Sequence, residues 1–275
     1  MNNSQQFNIL CNVAFKEILM AEFAAIGFDN FQETNDGFIT NSDTNVDLEQ
    51  VDGIIIRYNE QSGVTYNIEE VAKKNWNKEW EESYSPIIVS DKCIVRASFH
   101  PPQPEYPIEI IITPKMSFGT GHHETTYLIM AAQLTIDHTN KVVLDAGCGT
   151  GILSILAGKL GAKSLTAYDN DEWVLDNVQE NLKNNDTQSK ILVGTVQKLE
   201  FNEEFDIILA NINKNVLLID IPFYAKLLNK GGSLLLSGFY QNDLEEIEIS
   251  ATGSGLRLVK TNTKNDWAMA QFITN

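Results

Sequence analysis

The stretch Lys141-Val-Val-Leu-Asp-Ala-Gly-Cys-Gly-Thr-Gly151 decides the fold of this chain of 275 residues. Its apolar run at 142–144 is typical of a buried parallel strand, and residues 152–160 carry apolar side chains at helical spacing. A second apolar run ends at Asp169. Strand, glycine-rich turn, helix and strand in this order form a nucleotide-binding βαβ unit, which predicts an α/β fold with a Rossmann-like doubly wound sheet.

The turn itself predicts the kind of ligand. Glycines at 147, 149 and 151 leave the main chain open, so that a ligand approaches the backbone and the free N–H groups of the following helix. The spacing is Gly-x-Gly-x-Gly rather than the Gly-x-Gly-x-x-Gly of dinucleotide enzymes, and Asp145 precedes it. We therefore expect S-adenosylmethionine, with Asp145 accepting a hydrogen bond from its ammonium group and Asp169 binding its ribose.

Composition and charge narrow the class of protein and partner. The formal net charge is −17, which disfavours a direct nucleic-acid substrate and favours a basic protein as partner. No apolar run reaches the roughly 18 to 20 residues of a membrane span, and the first residues do not resemble a signal peptide, so we expect a cytoplasmic protein without membrane contact. The three cysteines are far apart and predict neither disulfides nor a zinc site.

Residues 1–66 are predicted to form a small acidic domain of their own. They contain ten acidic residues and two basic ones, a formal charge of −8. The pattern predicts a small α+β, ferredoxin-like domain with a strand, a helix that ends at Gly27, and a hairpin across residues 35–37. The apolar run 53–58 is interpreted as a further strand, and the helix is expected to bury Phe15, Ile18, Leu19 and Phe23.

Residues 67–85 are predicted to form a helical linker, because Trp76, Trp80 and Tyr84 recur at intervals of four. Residues 86–275 are then predicted to form the domain that contains the glycine turn. Within it, the loop Phe118-Gly-Thr-Gly121 precedes a helix and offers further N–H groups to the ligand. The adjacent His122 and His123 lack the spacing that places metal ligands on one helical face, so no metal is expected.

Asn211 ends a predicted central strand, at the sheet edge where α/β folds bind their ligands. Four segments together resemble the PrmA family of ribosomal protein L11 methyltransferases in order and interval; they are Phe118-Gly-Thr-Gly-x-His-x-Thr-Thr126, Asp145-x-Gly-Cys-Gly-x-Gly-Ile-Leu153, Asp169 and Ala210-Asn-Ile212. The resemblance implies S-adenosylmethionine as methyl donor and a large-subunit ribosomal protein, free or in the ribosome, as partner. It also implies that residues 1–66 are a substrate-recognition domain and that residues 86–275 are the methyltransferase domain. By position it assigns donor binding to Thr126, Gly147, Asp169 and Asn211. Glu124 stands where family members often have proline.

The strand tip also bears on the acceptor. Enzymes that methylate glutamine amides carry Asn-Pro-Pro-Tyr here, whereas this chain has Asn211-Ile-Asn-Lys214, which favours an amine. A lysine must lose its proton before attack, at a cost of about 4 to 5 kcal/mol at neutral pH, and Asn211 is predicted to orient the amine. A methyltransferase for another protein or a small-molecule amine, and a non-catalytic S-adenosylmethionine- or ribosome-binding module, remain alternatives.

Overall fold

The computed structural model describes residues 4–42, 47–71, 84–115 and 118–274. The chain divides into two compact units, Met1–Ser83 and Tyr84–Asn275. Among the described residues, no helix combines the length and apolar character that crossing a membrane requires.

The first unit is an α+β domain of the ferredoxin-like kind, the class that the sequence predicts. Its elements are β1 (Ser4–Leu10), α1 (Lys16–Ala25), β2 (Asp29–Thr34), β3 (Gly37–Ser42), α2 (Leu48–Ser62) and β4 (Thr65–Val71). The strands form one sheet in the order β2-β3-β1-β4, which is the split βαβ arrangement. Edge-to-face contacts join the rings of Phe7 and Phe23 to that of Phe28, so aromatic packing forms the centre of the core.

Two secondary-structure predictions in this unit are wrong. The apolar run 53–58 belongs to helix α2, in which Val51 and Ile54 are buried while Ile56 is 77% exposed. Asp47 caps the start of this helix by accepting a hydrogen bond from the Glu49 N–H, and Gly63 ends it with left-handed φ. The predicted helical linker begins too early, because residues 68–71 lie in strand β4. Its remainder up to residue 83, including Trp76 and Trp80, lies outside the described residues.

The predicted inward face of the first helix is partly right. Leu19 and Phe23 are buried and Phe15 packs against the core, as expected. Ile18 is 49% exposed instead, and the side chain of Lys16 is buried. The Lys16 ammonium donates to the Thr34 carbonyl at 2.8 Å and pairs with the Glu33 carboxylate at 3.3 Å, and these contacts satisfy the buried charged group.

The second unit begins with a small sheet and continues as a doubly wound sheet. The small sheet consists of β5 (Ile87–Val89), β6 (Cys93–Arg96) and β7 (Ile108–Ile111). The remaining elements are α3 (Glu124–Gln133), β8 (Val142–Ala146), α4 (Ile152–Lys159), β9 (Ser164–Asp169), α5 (Val174–Asn184), β10 (Lys190–Val193), β11 (Phe205–Asn211), α6 (Lys214–Leu227), β12 (Leu228–Tyr240), α7 (Leu244–Gly253), β13 (Leu256–Lys264) and β14 (Trp267–Thr274).

The strand order β10-β9-β8-β11-β12-β14-β13 positions the functional site. The strands β10, β9, β8, β11 and β12 run parallel to one another. Strand β14 lies between β12 and β13 and runs antiparallel to both. The chain winds outward from β8 to β10 and then returns to β11, so the order reverses between β8 and β11. Ligands of open α/β sheets bind outside the carboxyl ends of the strands at such a reversal.

Apolar packing on both faces keeps these central strands rigid. Val143 and Leu209 lie in a core on one face, whereas their neighbours Leu144 and Ile208 lie in a second core on the other face. All four side chains are fully buried. The strand tips that carry Asp145 and Asn211 are therefore held by continuous packing.

Candidate active site

A cavity of about 500 Å³ opens at the carboxyl ends of β8, β9 and β11. Four of the residues predicted from the sequence line it, namely Gly147, Gly149, Asp169 and Asn211. The other three predicted residues, Thr126, Asp145 and Gly151, are not part of its lining and lie behind it. The structure thus places the glycine turn and the tips of two strands around one space.

The glycine turn has a shape that no other residue fits. Gly147 and Gly149 have φ of 65° and 50°, a left-handed conformation that costs other residues about 1 to 2 kcal/mol. A Cβ atom on Gly147 would lie 2.4 Å from Ile212 Cγ2, and one on Gly149 would lie 2.4 Å from the Phe118 carbonyl oxygen. Glycine is therefore needed both for the backbone conformation and for close packing of the cavity wall.

Asp169 joins the second strand to the glycine turn. Its Oδ2 accepts a hydrogen bond from the Gly149 N–H at 3.0 Å, and its Oδ1 accepts one from the Asp171 N–H at 3.2 Å. The carboxylate thereby fixes the turn while it lines the cavity. A carboxylate has further lone pairs, so it retains the capacity to accept bonds from two neighbouring hydroxyls, as a ribose requires.

Asp145 lies beneath the cavity rather than in its wall. It is 1% exposed, and its Oδ2 accepts hydrogen bonds from the Ser154 N–H at 2.9 Å and the Ser154 hydroxyl at 2.8 Å. Its Oδ1 is buried and has no hydrogen-bond partner among the described residues. Burial is the main reason why the pKa of Asp145 rises to about 7. The carboxyl thus holds the first turn of α4, and the predicted contact with an ammonium group remains a prediction.

Asn211 is the polar group at the centre of the strand tips. Its Nδ2 donates to the Thr126 hydroxyl at 3.1 Å, and Thr126 is fully buried. Its Oδ1 is buried without a hydrogen-bond partner among the described residues. Thr126 therefore fixes the amide of this cavity-lining residue, and the amide oxygen keeps its capacity to accept a hydrogen bond.

An aromatic wall, defined as Phe118, His123, Tyr240 and Trp267, was not predicted from the sequence. Trp267 stacks on Tyr240 with ring centroids 4.1 Å apart, and His123 contacts both Trp267, at 4.7 Å, and Phe118, at 5.4 Å. Phe118, His123 and Trp267 line the cavity. Trp267 starts the last strand, more than a hundred residues from the glycine turn, and no local motif marks it.

The histidines near this wall have structural partners. His123 caps α3, because its Nδ1 accepts from the Thr125 N–H at 3.3 Å and lies 2.8 Å from the Thr125 hydroxyl. Nε2 of His122 lies 3.1 Å from the Ser85 carbonyl oxygen. Within the described ranges, no three His, Cys, Asp or Glu residues are grouped to hold a metal ion.

Cys148 lies within the glycine turn without the features of a nucleophile. Its side chain is buried, and desolvation raises the pKa of its thiol far above the usual range. The nearby carboxylates Asp145 and Asp169 raise this pKa further. The thiol therefore stays protonated and fills space.

The residues of the cavity fit an S-adenosylmethionine donor. The two constrained glycines leave the backbone of the turn free of side chains, Asp169 offers acceptors for hydroxyl groups, and Asp145 keeps an unsatisfied oxygen beneath the turn. Gly151 precedes the first residue of α4 with φ of 78°, and a Cβ there would lie 2.6 Å from Val178.

Comparison with known proteins gives consistent results. The family described as ribosomal protein L11 methyltransferase (PrmA) matches residues 25–274. The chain is 42% identical over 260 residues to the ribosomal protein L11 methyltransferase of Porphyromonas gingivalis, covering 93% of this chain and 90% of that protein. It is 38% identical over 267 residues to that of Phocaeicola vulgatus, covering 96% and 95%. The crystal structure of a ribosomal protein L11 methylase from Lactobacillus delbrueckii subsp. bulgaricus superposes with a TM-score of 0.64 at 27% identity, covering 70% of this chain and all of that one.

Proposed function

The chain belongs to the family of ribosomal protein L11 methyltransferases, and from this we propose that it transfers methyl groups from S-adenosylmethionine to amino groups of ribosomal protein L11. Membership of the family makes it an S-adenosylmethionine-dependent methyltransferase. The proposal concerns the class of acceptor group and the roles of individual residues.

The donor is assigned to the cavity at the glycine turn. In this proposal Gly147, Gly149 and Gly151 leave room for it, Asp169 binds its ribose, and Asp145 and Thr126 support it from behind. When bound, S-adenosylmethionine supplies an electrophilic methyl group on a positively charged sulfur. The acidic surroundings of Asp169 and Asp171 favour a cation in the cavity.

The strand tip Asn211-Ile-Asn-Lys214 favours an amine over an amide, and the observation that supports a nitrogen nucleophile at this tip is the Oδ1 of Asn211. It lacks a hydrogen-bond partner among the described residues, and the bond from Nδ2 to Thr126 fixes its orientation. An amine donates hydrogen bonds through N–H groups, so a fixed carbonyl oxygen accepts one of them and directs the nitrogen lone pair away from itself. Asn211 thus orients the nucleophile for an in-line attack.

The chain does not need a strong base for this reaction. A lysine amine has a pKa of about 10.4 in water and an α-amine one of about 8, so deprotonation costs about 4 to 5 and about 1 kcal/mol at neutral pH. Water removes this proton before attack, and the site holds the neutral amine. Trp267 and His123 contribute an aromatic surface at the cavity, against which the apolar part of a lysine side chain packs and a methylated ammonium is attracted.

The acidic first unit is proposed to recognise the ribosomal protein. Residues 1–66 carry a formal charge of −8, which attracts a basic surface and repels the phosphates of nucleic acid. In this proposal residues 86–275 carry out the transfer, and the chain between strand β4 and residue 86 links them to the acidic sheet domain.

A transfer assay with two forms of the acceptor tests this function. We expect label from methyl-labelled S-adenosylmethionine to enter ribosomal protein L11, and we expect none to enter L11 whose amines have been acetylated. Equal labelling of the acetylated protein would point to an amide or another group, and a lack of labelling in both would refute the proposed function.

A further inference from the structure

An asparagine of helix α5 and the asparagine that caps its C-terminus, Asn181 and Asn185, bind the backbone that leads out of strand β7. Asn185 accepts from the Ile111 N–H at 2.8 Å and donates to the Ile111 carbonyl at 2.6 Å. Asn181, one turn earlier on the same helix face, accepts from the Thr113 N–H at 2.8 Å. The pair therefore fixes the chain at 111–113, before it continues toward Phe118.

Asn181 also makes a hydrogen bond to the glycine turn, which Asn185 does not. Its Nδ2 donates to the carbonyl oxygen of Thr150, within the glycine turn, at 2.9 Å. The Asn181 side chain is fully buried, so both ends of its amide are satisfied by backbone groups from two distant segments. It joins the chain at Thr113 to the glycine turn.

Thr150 binds the next part of the same segment. Its N–H donates to the Phe118 carbonyl at 3.0 Å and its hydroxyl donates to the Gly119 carbonyl at 2.5 Å. Thr150 is fully buried, and its N–H, hydroxyl and carbonyl groups are all used in these contacts and in the bond to Asn181. Phe118 in turn lines the cavity.

We propose that Thr150 and Asn181 are positioning residues for donor binding, because they hold the Phe118–Gly119 backbone on the glycine turn. When either residue loses its bonds, Phe118 occupies its place in the cavity wall for a smaller fraction of the time. The apparent dissociation constant of the donor rises by the inverse of that fraction, while turnover at saturating donor is retained. The inference rests on the proposed function only in taking S-adenosylmethionine as the donor.

Valine and serine substitutions of Thr150 give the sharpest test. Thr150→Val keeps the shape and removes the hydroxyl, and Thr150→Ser keeps the hydroxyl. Calorimetric titration of the full chain with S-adenosylmethionine should show a dissociation constant raised between about twofold and about fivefold in the valine variant, the upper value being the equivalent of one whole hydrogen bond, and close to wild type in the serine variant. The KM for the donor should rise by a similar factor and kcat should not change.

Asn185→Ala is the matched control for Asn181→Ala. Both variants lose buried hydrogen bonds of the same helix face and should have lower melting temperatures, but only Asn181→Ala loses the bond to the glycine turn. We expect donor affinity to fall at least about fivefold in Asn181→Ala and to stay within about twofold in Asn185→Ala. Equal donor affinity in Thr150→Val and wild type, or equal losses in the two alanine variants, would overturn the proposal. A wild-type protein that does not bind S-adenosylmethionine would instead refute the proposed function.

Discussion

Replacement of Asn211 by alanine should separate catalysis from stability. In the folded protein the buried Oδ1 lacks a partner among the described residues, an arrangement that costs about 1 to 3 kcal/mol. Alanine removes this cost, but it also removes the 3.1 Å bond to the Thr126 hydroxyl, and an orphaned buried hydroxyl costs a similar amount. Because the two terms offset each other, the free energy of unfolding should change by less than about 1 kcal/mol.

The same substitution should strongly reduce turnover. A fixed acceptor that orients the reacting group contributes about 3 kcal/mol to the transition state, equivalent to about a hundredfold in kcat. The measurement is the initial rate of methyl transfer to ribosomal protein L11 at saturating donor, together with urea unfolding of the same preparation.

Asn213→Ala is the control, two residues farther along the chain. Asn213 also lines the cavity, but its Oδ1 accepts a hydrogen bond from the Val216 N–H and is thereby held as the cap of α6. Loss of this cap should cost about 1 kcal/mol of stability and should affect kcat far less than Asn211→Ala does. Full turnover in Asn211→Ala at saturating donor would refute the role of Asn211.

Three further predictions concern stability. Gly149→Ala should destabilise the protein by roughly 2 to 4 kcal/mol in urea unfolding and weaken donor binding, because φ is 50° and the new Cβ would lie 2.4 Å from the Phe118 carbonyl oxygen; a variant as stable as wild type would contradict the geometry. Asp145→Asn should be more stable than wild type at pH 8 and similar to it near pH 4, since the raised pKa of about 7 makes wild type lose stability as pH rises from about 4 to 7. Glu109→Gln should show the opposite pH dependence. The Arg96 side chain lowers the pKa of Glu109 through hydrogen bonds of 2.7 and 3.0 Å. The ion pair therefore stabilises wild type at pH values above the pKa of Glu109 in the unfolded chain, and this advantage disappears as pH falls through its pKa in the folded protein. At pH 7 we expect a loss of roughly 1 to 3 kcal/mol, discounted because Glu109 is partly exposed, and a constant difference between pH 7 and pH 3 would contradict this reasoning.

The sequence predicts the sheet and the glycine turn well because their signals are local. The apolar run 142–144 lies in strand β8 and is followed closely by the glycine turn, where Gly147 and Gly149 have conformations that favour glycine. The predicted strand at 53–58 is wrong because three consecutive isoleucines occur in a helix as readily as in a buried strand. Asp47 caps the start of this segment and Gly63 caps its end, and the fifteen residues between them form the helix.

The sequence identifies a cavity-lining residue only where that residue belongs to the glycine turn or ends a strand. Asp169 and Asn211 end strands, and the polarity of a strand tip is visible in the sequence. The burial of Asp145 behind the cavity depends on Ser154 in the next helix, and Trp267 reaches the cavity through the pairing of β14 with β12. Contacts of this kind require the tertiary structure.

Mapping of the methyl groups on ribosomal protein L11 tests the central claim most directly. The protein is incubated with S-adenosylmethionine and unmodified L11, and the product is digested and analysed by fragment-ion mass spectrometry. We predict added methyl groups on lysine ε-amines or on the N-terminal α-amine, and we predict their loss with Asn211→Ala. Methyl groups on glutamine amides, or an unmodified L11 beside a protein that binds the donor, would contradict the account.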